Sequence, residues 1–334
     1  MVSYLELGLL AFLLSLLGTW MFVRVARRLG LGKHIREYGP EIHAKKEGTP
    51  TMGGIVILIT FVLVMLAVWL RQGLPAPEAL LLLLATLGFG GIGLADDLIG
   101  LCRGRSLGLL IRYKLLLQVA LAAALLWGLR LAGLPGAMKV PFVSLWLELP
   151  LWPAALLTIA VMLGTTNAMN LTDGLDGLAT GVTLIMLLPF IFLLQGQGEP
   201  ELWGAALIFS GALLGFLWFN CYPARVFLGD TGSMALGGFL AMLSLLSGTA
   251  LILPLLGGVL VAEALSVMLQ VTSYKFFHMR IFKVSPLHHH FERAKGIDYR
   301  FLVPNRELEE PQITVRFWIA AAGCALLGLW AYLA

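Results

Sequence analysis

Charge is what this sequence has least of. Only 13% of its 334 residues are Asp, Glu, Lys or Arg, while 59% are hydrophobic, and a soluble domain carries roughly twice that share of charge. An aqueous fold is thereby excluded for most of the chain. Cysteine is nearly as scarce. Cys102, Cys221 and Cys324 lie far apart and form no CxxC pair, which removes disulfide frameworks, zinc ribbons and thiol redox motifs. No basic stretch precedes the first apolar run, whose flanks are Glu6 on one side and Arg24, Arg27 and Arg28 on the other. That pattern is unlike a cleavable leader, so a retained anchor with an external N-terminus is expected. No internal repeat is visible, which counts against the paired halves of a secondary transporter.

What is present is a series of long apolar runs. A bilayer core of roughly 30 Å needs about 20 such residues per helix, and ten runs qualify. They cover residues 3–23, 54–70, 78–95, 115–132, 151–168, 177–194, 202–219, 234–247, 250–274 and 315–333. The eighth is short and is parted from the ninth only by Gly248 and Thr249, so nine spans or a broken helix is the competing count. The expected fold is an all-α integral membrane protein, one polytopic domain over residues 1–334 with about ten spans.

Ten spans place the loops 24–46, 103–114, 225 and 275–316 on one side. Those loops hold every Lys and Arg except Arg71, Arg130 and Lys139. The positive-inside rule makes that side cytoplasmic and puts both termini outside. All six aspartates lie on the same side or at the adjoining span ends: Asp96, Asp97, Asp173, Asp176, Asp230 and Asp298. A transporter should instead hold acids near the midplane, where only Glu263 stands.

Five segments carry chemistry. In HAKKEGTPTMGG (43–54), two lysines precede a turn stiffened by Gly and Pro, able to aim Lys46 and backbone N–H groups at an anion or simply to meet anionic lipid. In LADD (94–97), two carboxylates close the third span, where the helix dipole is negative, so a cation is implied. That cation is either Mg²⁺ or one of Arg103, Arg105, Arg112 and Lys114. In NAMNLTDGLDGLA (167–179), Asn167, Asn170, Asp173 and Asp176 recur every three residues, a spacing that lets neighbours converge on an oxygen-ligated metal or a diphosphate. FNCYPARVFLGDTGS (219–233) sets Asp230 at a span start, either as a helix cap or as a ligand beside Asn220, Thr231 and Ser233. In SPLHHHFE (285–292), three imidazoles can hold phosphate or move protons; no zinc-ligand partner accompanies them. Within the ninth span, Glu263, Ser266 and Gln270 form one polar stripe, which either neighbouring elements satisfy or a cavity exposes.

In order and spacing, these five segments resemble the phospho-N-acetylmuramoyl-pentapeptide transferase family, within the polyprenyl-phosphate N-acetylhexosamine-1-phosphate transferases. The likeness spans essentially the whole chain, and GTPTMGG with LHHHFE points to the muramoyl-pentapeptide branch. The resemblance implies a ten-helix fold with a cytoplasm-facing cleft in the bacterial inner membrane. It implies transfer of phospho-N-acetylmuramoyl-pentapeptide from UDP-N-acetylmuramoyl-pentapeptide to undecaprenyl phosphate, giving lipid I and UMP, with Mg²⁺ as cofactor. Asp96, Asp97, Asp173, Asp176, Asp230 and His289 would then carry the chemistry, with the metal on Asp230 and Asp173. Lys46, Thr51, Asn167, Asn170, Asn220 and Phe227 would contact substrate, as would Glu263, Gln270, His288 and His290. The apolar groove beside the ninth span would take the polyprenyl tail. The bilayer and a second copy of the chain complete the partners; no nucleic acid is expected.

The sequence departs from that family in one loop. Gly100, Gly104 and Leu107 stand where relatives usually carry cations, so a lysine role cannot be moved onto Gly100. Two chemistries remain open, direct attack by the lipid phosphate and a covalent aspartyl-phosphate. Two other functions compete with this one: a transferase using UDP-N-acetylglucosamine, and a membrane transporter.

Overall fold

The computed structural model describes residues 4–30, 48–103, 108–134, 137–293 and 299–334. Lys46, Arg105 and Asp298 lie outside the described residues. Among the described residues, ten helices are long and apolar enough to span a bilayer: α1 (Tyr4–Arg28), α2 (Gly54–Gln72), α3 (Pro77–Cys102), α4 (Ile111–Leu131), α5 (Leu151–Thr172), α6 (Leu178–Gln197), α7 (Pro200–Asn220), α8 (Gly229–Leu246), α10 (Gly258–Phe277) and α12 (Glu310–Leu333). Two short helices, α9 (Leu253–Leu256) and α11 (Leu287–Phe291), sit between them, and a small hairpin of β1 (Met138–Lys139) and β2 (Trp146–Leu147) joins α4 to α5.

The bundle is built around α8, which packs on α3, α5 and α2. Protein rather than lipid surrounds this helix, and its composition follows from that. Gly232, Ser233, Gly237, Gly238 and Ser244 are all buried in it, and small residues let neighbouring backbones close in where lipid gives no hydrophobic drive to associate. Beside α8, Phe239 stacks on Phe209 at 3.9 Å, while Phe61 meets both rings edge-on. At the periphery α1 joins α7 through Ser15, whose hydroxyl donates to the Ala212 carbonyl at 2.6 Å.

Several helix limits differ from the sequence expectation, α1 running on to Arg28 and α12 starting at Glu310, and three of them bear on the site, each for a local reason. α3 runs on to Cys102 because Leu98, Ile99, Leu101 and Cys102 continue its apolar pattern, so Asp96 and Asp97 stand inside the helix rather than at its end. α8 begins at Gly229, five residues before the apolar run, because its polar first turn is satisfied from another helix. The ninth span starts only at Gly258: Pro254 opens the short α9 and Gly257 separates the two.

Candidate active site

Five chain segments meet at one end of the bundle, and backbone pairing brings the first two together. The Phe227 N–H donates to the Pro50 carbonyl at 2.8 Å, and Gly53 and Gly54 N–H donate to the Phe227 and Leu228 carbonyls at 2.9 and 3.0 Å. Thr51 is buried in this seam against Gly229, whose φ of +74° is open to glycine at little cost. Phe227 is half-buried beside it.

Asp97 crosses from α3 to the head of α8. Its carboxylate accepts the Thr231 N–H at 2.8 Å, the Thr231 hydroxyl at 2.7 Å and the Asp230 N–H at 3.2 Å. These N–H groups belong to the first turn of α8, which would otherwise leave them unsatisfied. Asp97 is therefore the cap, and Asp230 is not: its side chain leaves the helix instead. Contact this close requires Gly93 on α3, where any Cβ would collide with the Asp230 carbonyl.

Asp230 meets Lys114. The ammonium donates to Asp230 Oδ2 at 2.5 Å and lies 3.8 Å from Asp96 Oδ1, with all three side chains only partly exposed. Asp96 also accepts the Leu109 N–H at 3.0 Å. The cation demanded by the acidic pair is thus Lys114, at the start of α4. Of the other cations weighed, Arg103 is exposed and Arg112 lies over the Tyr113 ring. Gly100 is buried near the C-terminus of α3.

The α5–α6 turn adds Asp173 and Asp176. Asp173 is half-buried at the C-terminus of α5, while Asp176 is buried and committed to structure. Asp176 Oδ2 accepts the Ala224 N–H at 2.9 Å, and its own N–H donates to Glu310 Oε1 at 2.8 Å. The asparagines sort in the same way. Asn220 is buried, donating to the Val226 carbonyl and accepting from Thr180, so it shapes the loop that carries Phe227. Asn167 pairs with Gln118, whereas Asn170 donates to Ser233 at 3.0 Å, beside Asp230.

The histidines are not equivalent. His288 is fully buried beside Glu263, and His290 is buried with its Nδ1 accepting the Lys283 N–H at 3.0 Å. Burial above all, with Lys283 adding to it and the Pro304 carbonyl opposing, holds His290 below its ordinary value. His289 is the partly exposed member, its Nδ1 2.5 Å from Glu292 Oε2. Gln270 accepts the Ile281 and Phe282 N–H groups at 3.0 and 2.9 Å. Of the α10 stripe, Gln270 and Glu263 are met by the following loop and α11, while the Ser266 hydroxyl donates to the Glu263 carbonyl within the helix at 2.7 Å. Beside it, an apolar cavity of about 440 Å³ opens between α10, α11 and α12, walled by Val259, Leu287, Phe291 and Phe317, with exposed Arg306 and Arg316 among its lining.

The donor set also suits a hard cation. Asp96 and Asp230 offer carboxylate oxygens from facing helices around one positive charge, and Mg²⁺ commonly takes one or two protein carboxylates, completing its shell with substrate phosphate and water. Among the described residues no group of three or more His, Cys, Asp or Glu side chains is placed to hold a metal ion by itself.

Two carboxylates thus share one lysine at the end of a bundle of membrane-length helices. The class follows from comparison: residues 79–248 match the model of glycosyl transferase family 4, and residues 46–58 match a phospho-N-acetylmuramoyl-pentapeptide-transferase signature. Phospho-N-acetylmuramoyl-pentapeptide-transferases from Desulfitobacterium hafniense, Halalkalibacterium halodurans and Bacillus subtilis are 42%, 40% and 38% identical to this chain. The alignments cover 97%, 96% and 96% of the chain and 96%, 95% and 95% of the relatives. The chain belongs to the phospho-N-acetylmuramoyl-pentapeptide-transferase family.

Proposed function

We propose that this protein transfers phospho-N-acetylmuramoyl-pentapeptide from UDP-N-acetylmuramoyl-pentapeptide to undecaprenyl phosphate, yielding lipid I and UMP for peptidoglycan synthesis. Family membership over nearly the whole chain supports the reaction over transport or transfer of N-acetylglucosamine phosphate. The observation that carries the reading is the Lys114–Asp230–Asp96 constellation, kept clear by the Asp97 cap on α8. The bias of Lys and Arg supports a cytoplasmic position for this end of the bundle in the inner membrane, with both termini outside. Exposed apolar faces of α1 and α4 leave room for a second copy of the chain, which cross-linking in membranes would detect.

In the reaction an oxygen of undecaprenyl phosphate attacks the phosphorus next to the sugar. The bond from that phosphorus to the bridging oxygen breaks, and UMP leaves with the electron pair. Phosphoryl transfer of this kind rests on alignment and charge neutralisation. Asp230, with Asp173 from the α5–α6 turn or the facing Asp96 as a second carboxylate, would hold Mg²⁺, which would supply neutralisation of the diphosphate. Lys114 adds a second positive charge on the same oxygens, released from Asp230 as substrate arrives. Asp96 orients the lipid phosphate and takes any proton it carries, because Asp97 is already engaged by three donors. Asn170 and Phe227 flank the nucleotide, Lys46 and His289 meet phosphate or sugar, and the cavity beside α10 receives the isoprenoid tail. The test is release of UMP by purified protein with and without Mg²⁺, offering UDP-N-acetylmuramoyl-pentapeptide or UDP-N-acetylglucosamine. Metal-independent turnover, or preference for the second sugar, would overturn the reading.

A further inference from the structure

We infer that Glu263 is a positioning residue, which through His288 sets where α11 presents His289 to the reacting phosphates. The inference rests on the transferase reading above. Glu263 and His288 are both fully buried. The two Glu263 oxygens accept the His288 backbone N–H, at 3.2 and 3.4 Å. α11 has five residues, starts after Pro286 and carries no side-chain cap of its own. The His289 N–H donates to the Pro286 carbonyl at 3.1 Å, whereas the His288 N–H is met by the carboxylate supplied from α10.

The His288 ring extends the connection. Its Nδ1 lies 3.2 Å from Glu263 Oε1 but is not aligned as a hydrogen bond, so the ring packs on the carboxylate while the backbone N–H carries the bond. The far edge of the ring abuts Gly174, where any Cβ would collide with Nε2. One buried imidazole thus joins α10 to the turn that carries Asp173 and Asp176. The next residue, His289, is partly exposed and braced by Glu292.

Two further polar side chains of α10, Gln270 and Ser273, are directed at the loop that leads to α11. Gln270 holds Ile281 and Phe282, and the Ser273 hydroxyl donates to the Met279 carbonyl at 3.0 Å. Glu263 and Gln270 are outside the lining of the apolar cavity. A carboxylate in a membrane helix is costly unless its charge is met, and what Glu263 meets is the mount of the histidine helix rather than substrate.

The experiment uses the full chain in nanodiscs. Turnover and both KM values are measured for Glu263→Leu, Glu263→Gln, His289→Ala and the Glu263→Leu/His289→Ala double variant. Glu263→Leu should lower kcat roughly 10- to 100-fold, the size of effect a misplacement near 1 Å produces, with both KM values little changed. Glu263→Gln, which keeps an oxygen for the His288 N–H, should recover most of that loss. The double variant should be no slower than His289→Ala, because one change acts through the other. Additive losses, or a raised KM for the nucleotide at constant kcat, would overturn the inference. Should Glu263→Leu fail to fold, Glu263→Asp, one methylene shorter, carries the same cycle. Hydrogen exchange decides independently of turnover. Amides of residues 287–291 should exchange faster in these variants while those of α8 do not, and unchanged protection sinks the inference. Loss of activity in the unsubstituted protein would instead sink the transferase reading.

Discussion

At the head of α8 and at the head of α11, a carboxylate from another membrane helix accepts backbone N–H groups that the capped helix leaves unsatisfied. Asp97 does this for α8 and Glu263 for α11. The surroundings differ. α8 has 18 residues, nearly all buried among α3, α5 and α2, so its cap adds to a packing that already fixes it. α11 has five residues and one wall facing an apolar cavity, so polar bonds set its place. The first head holds a charge cluster still; the second holds a histidine on a support that can yield.

The sharpest break of this comparison is Asp230→Asn. It should lower UMP release on the order of 10³-fold, the scale of a lost electrostatic contact in a preorganised site, with the melting temperature unchanged. A similar melting loss would mean that Asp230 is part of the scaffold after all. Lys114→Ala should cost roughly 100-fold in kcat, and Lys114→Arg should restore only part, since a guanidinium fork does not replace a point charge between two carboxylates. Equal activity in both variants would remove Lys114 from the site.

Asp96 and Asp97 should separate by readout. Asp97→Ala loses a helix cap worth about 1–2 kcal/mol, so it should lower thermal stability and activity together. Asp96→Ala should lower activity alone. Reversed behaviour in thermal melts and UMP assays would exchange the two roles.

The smallest effect concerns acid. His290 is held neutral by burial, below its ordinary 6.5. A neutral form favoured by folding contributes stability that is complete above the unfolded value and is lost as pH falls below it toward the folded one. Hydrogen exchange of residues 281–291 should therefore quicken as pH drops from about 6.5, while α8 stays protected. His290→Gln should flatten that dependence.

The sequence carried the ten spans because each is a local property: about 20 apolar residues in a row. It also gathered the aspartates on one side through the charge bias. It missed the early start of α8, since Gly229–Ser233 reads as loop until Asp97, some 133 positions away, supplies the cap. Lys114 appeared only as one of four candidate cations, because which one reaches Asp230 depends on how α4 packs, not on spacing. The split among acids was equally hidden. Asp176 and Asp230 look alike in sequence, yet one binds a loop and the other faces a lysine.

α11 faces two different surroundings. Leu287 and Phe291 line the apolar cavity, while His288 presses on Gly174 in the turn that carries Asp173 and Asp176. A greasy compound dissolved in the bilayer and wedged beside those two side chains would tilt the histidines without meeting the nucleotide. Inhibition of that kind should not be relieved by adding more UDP-sugar.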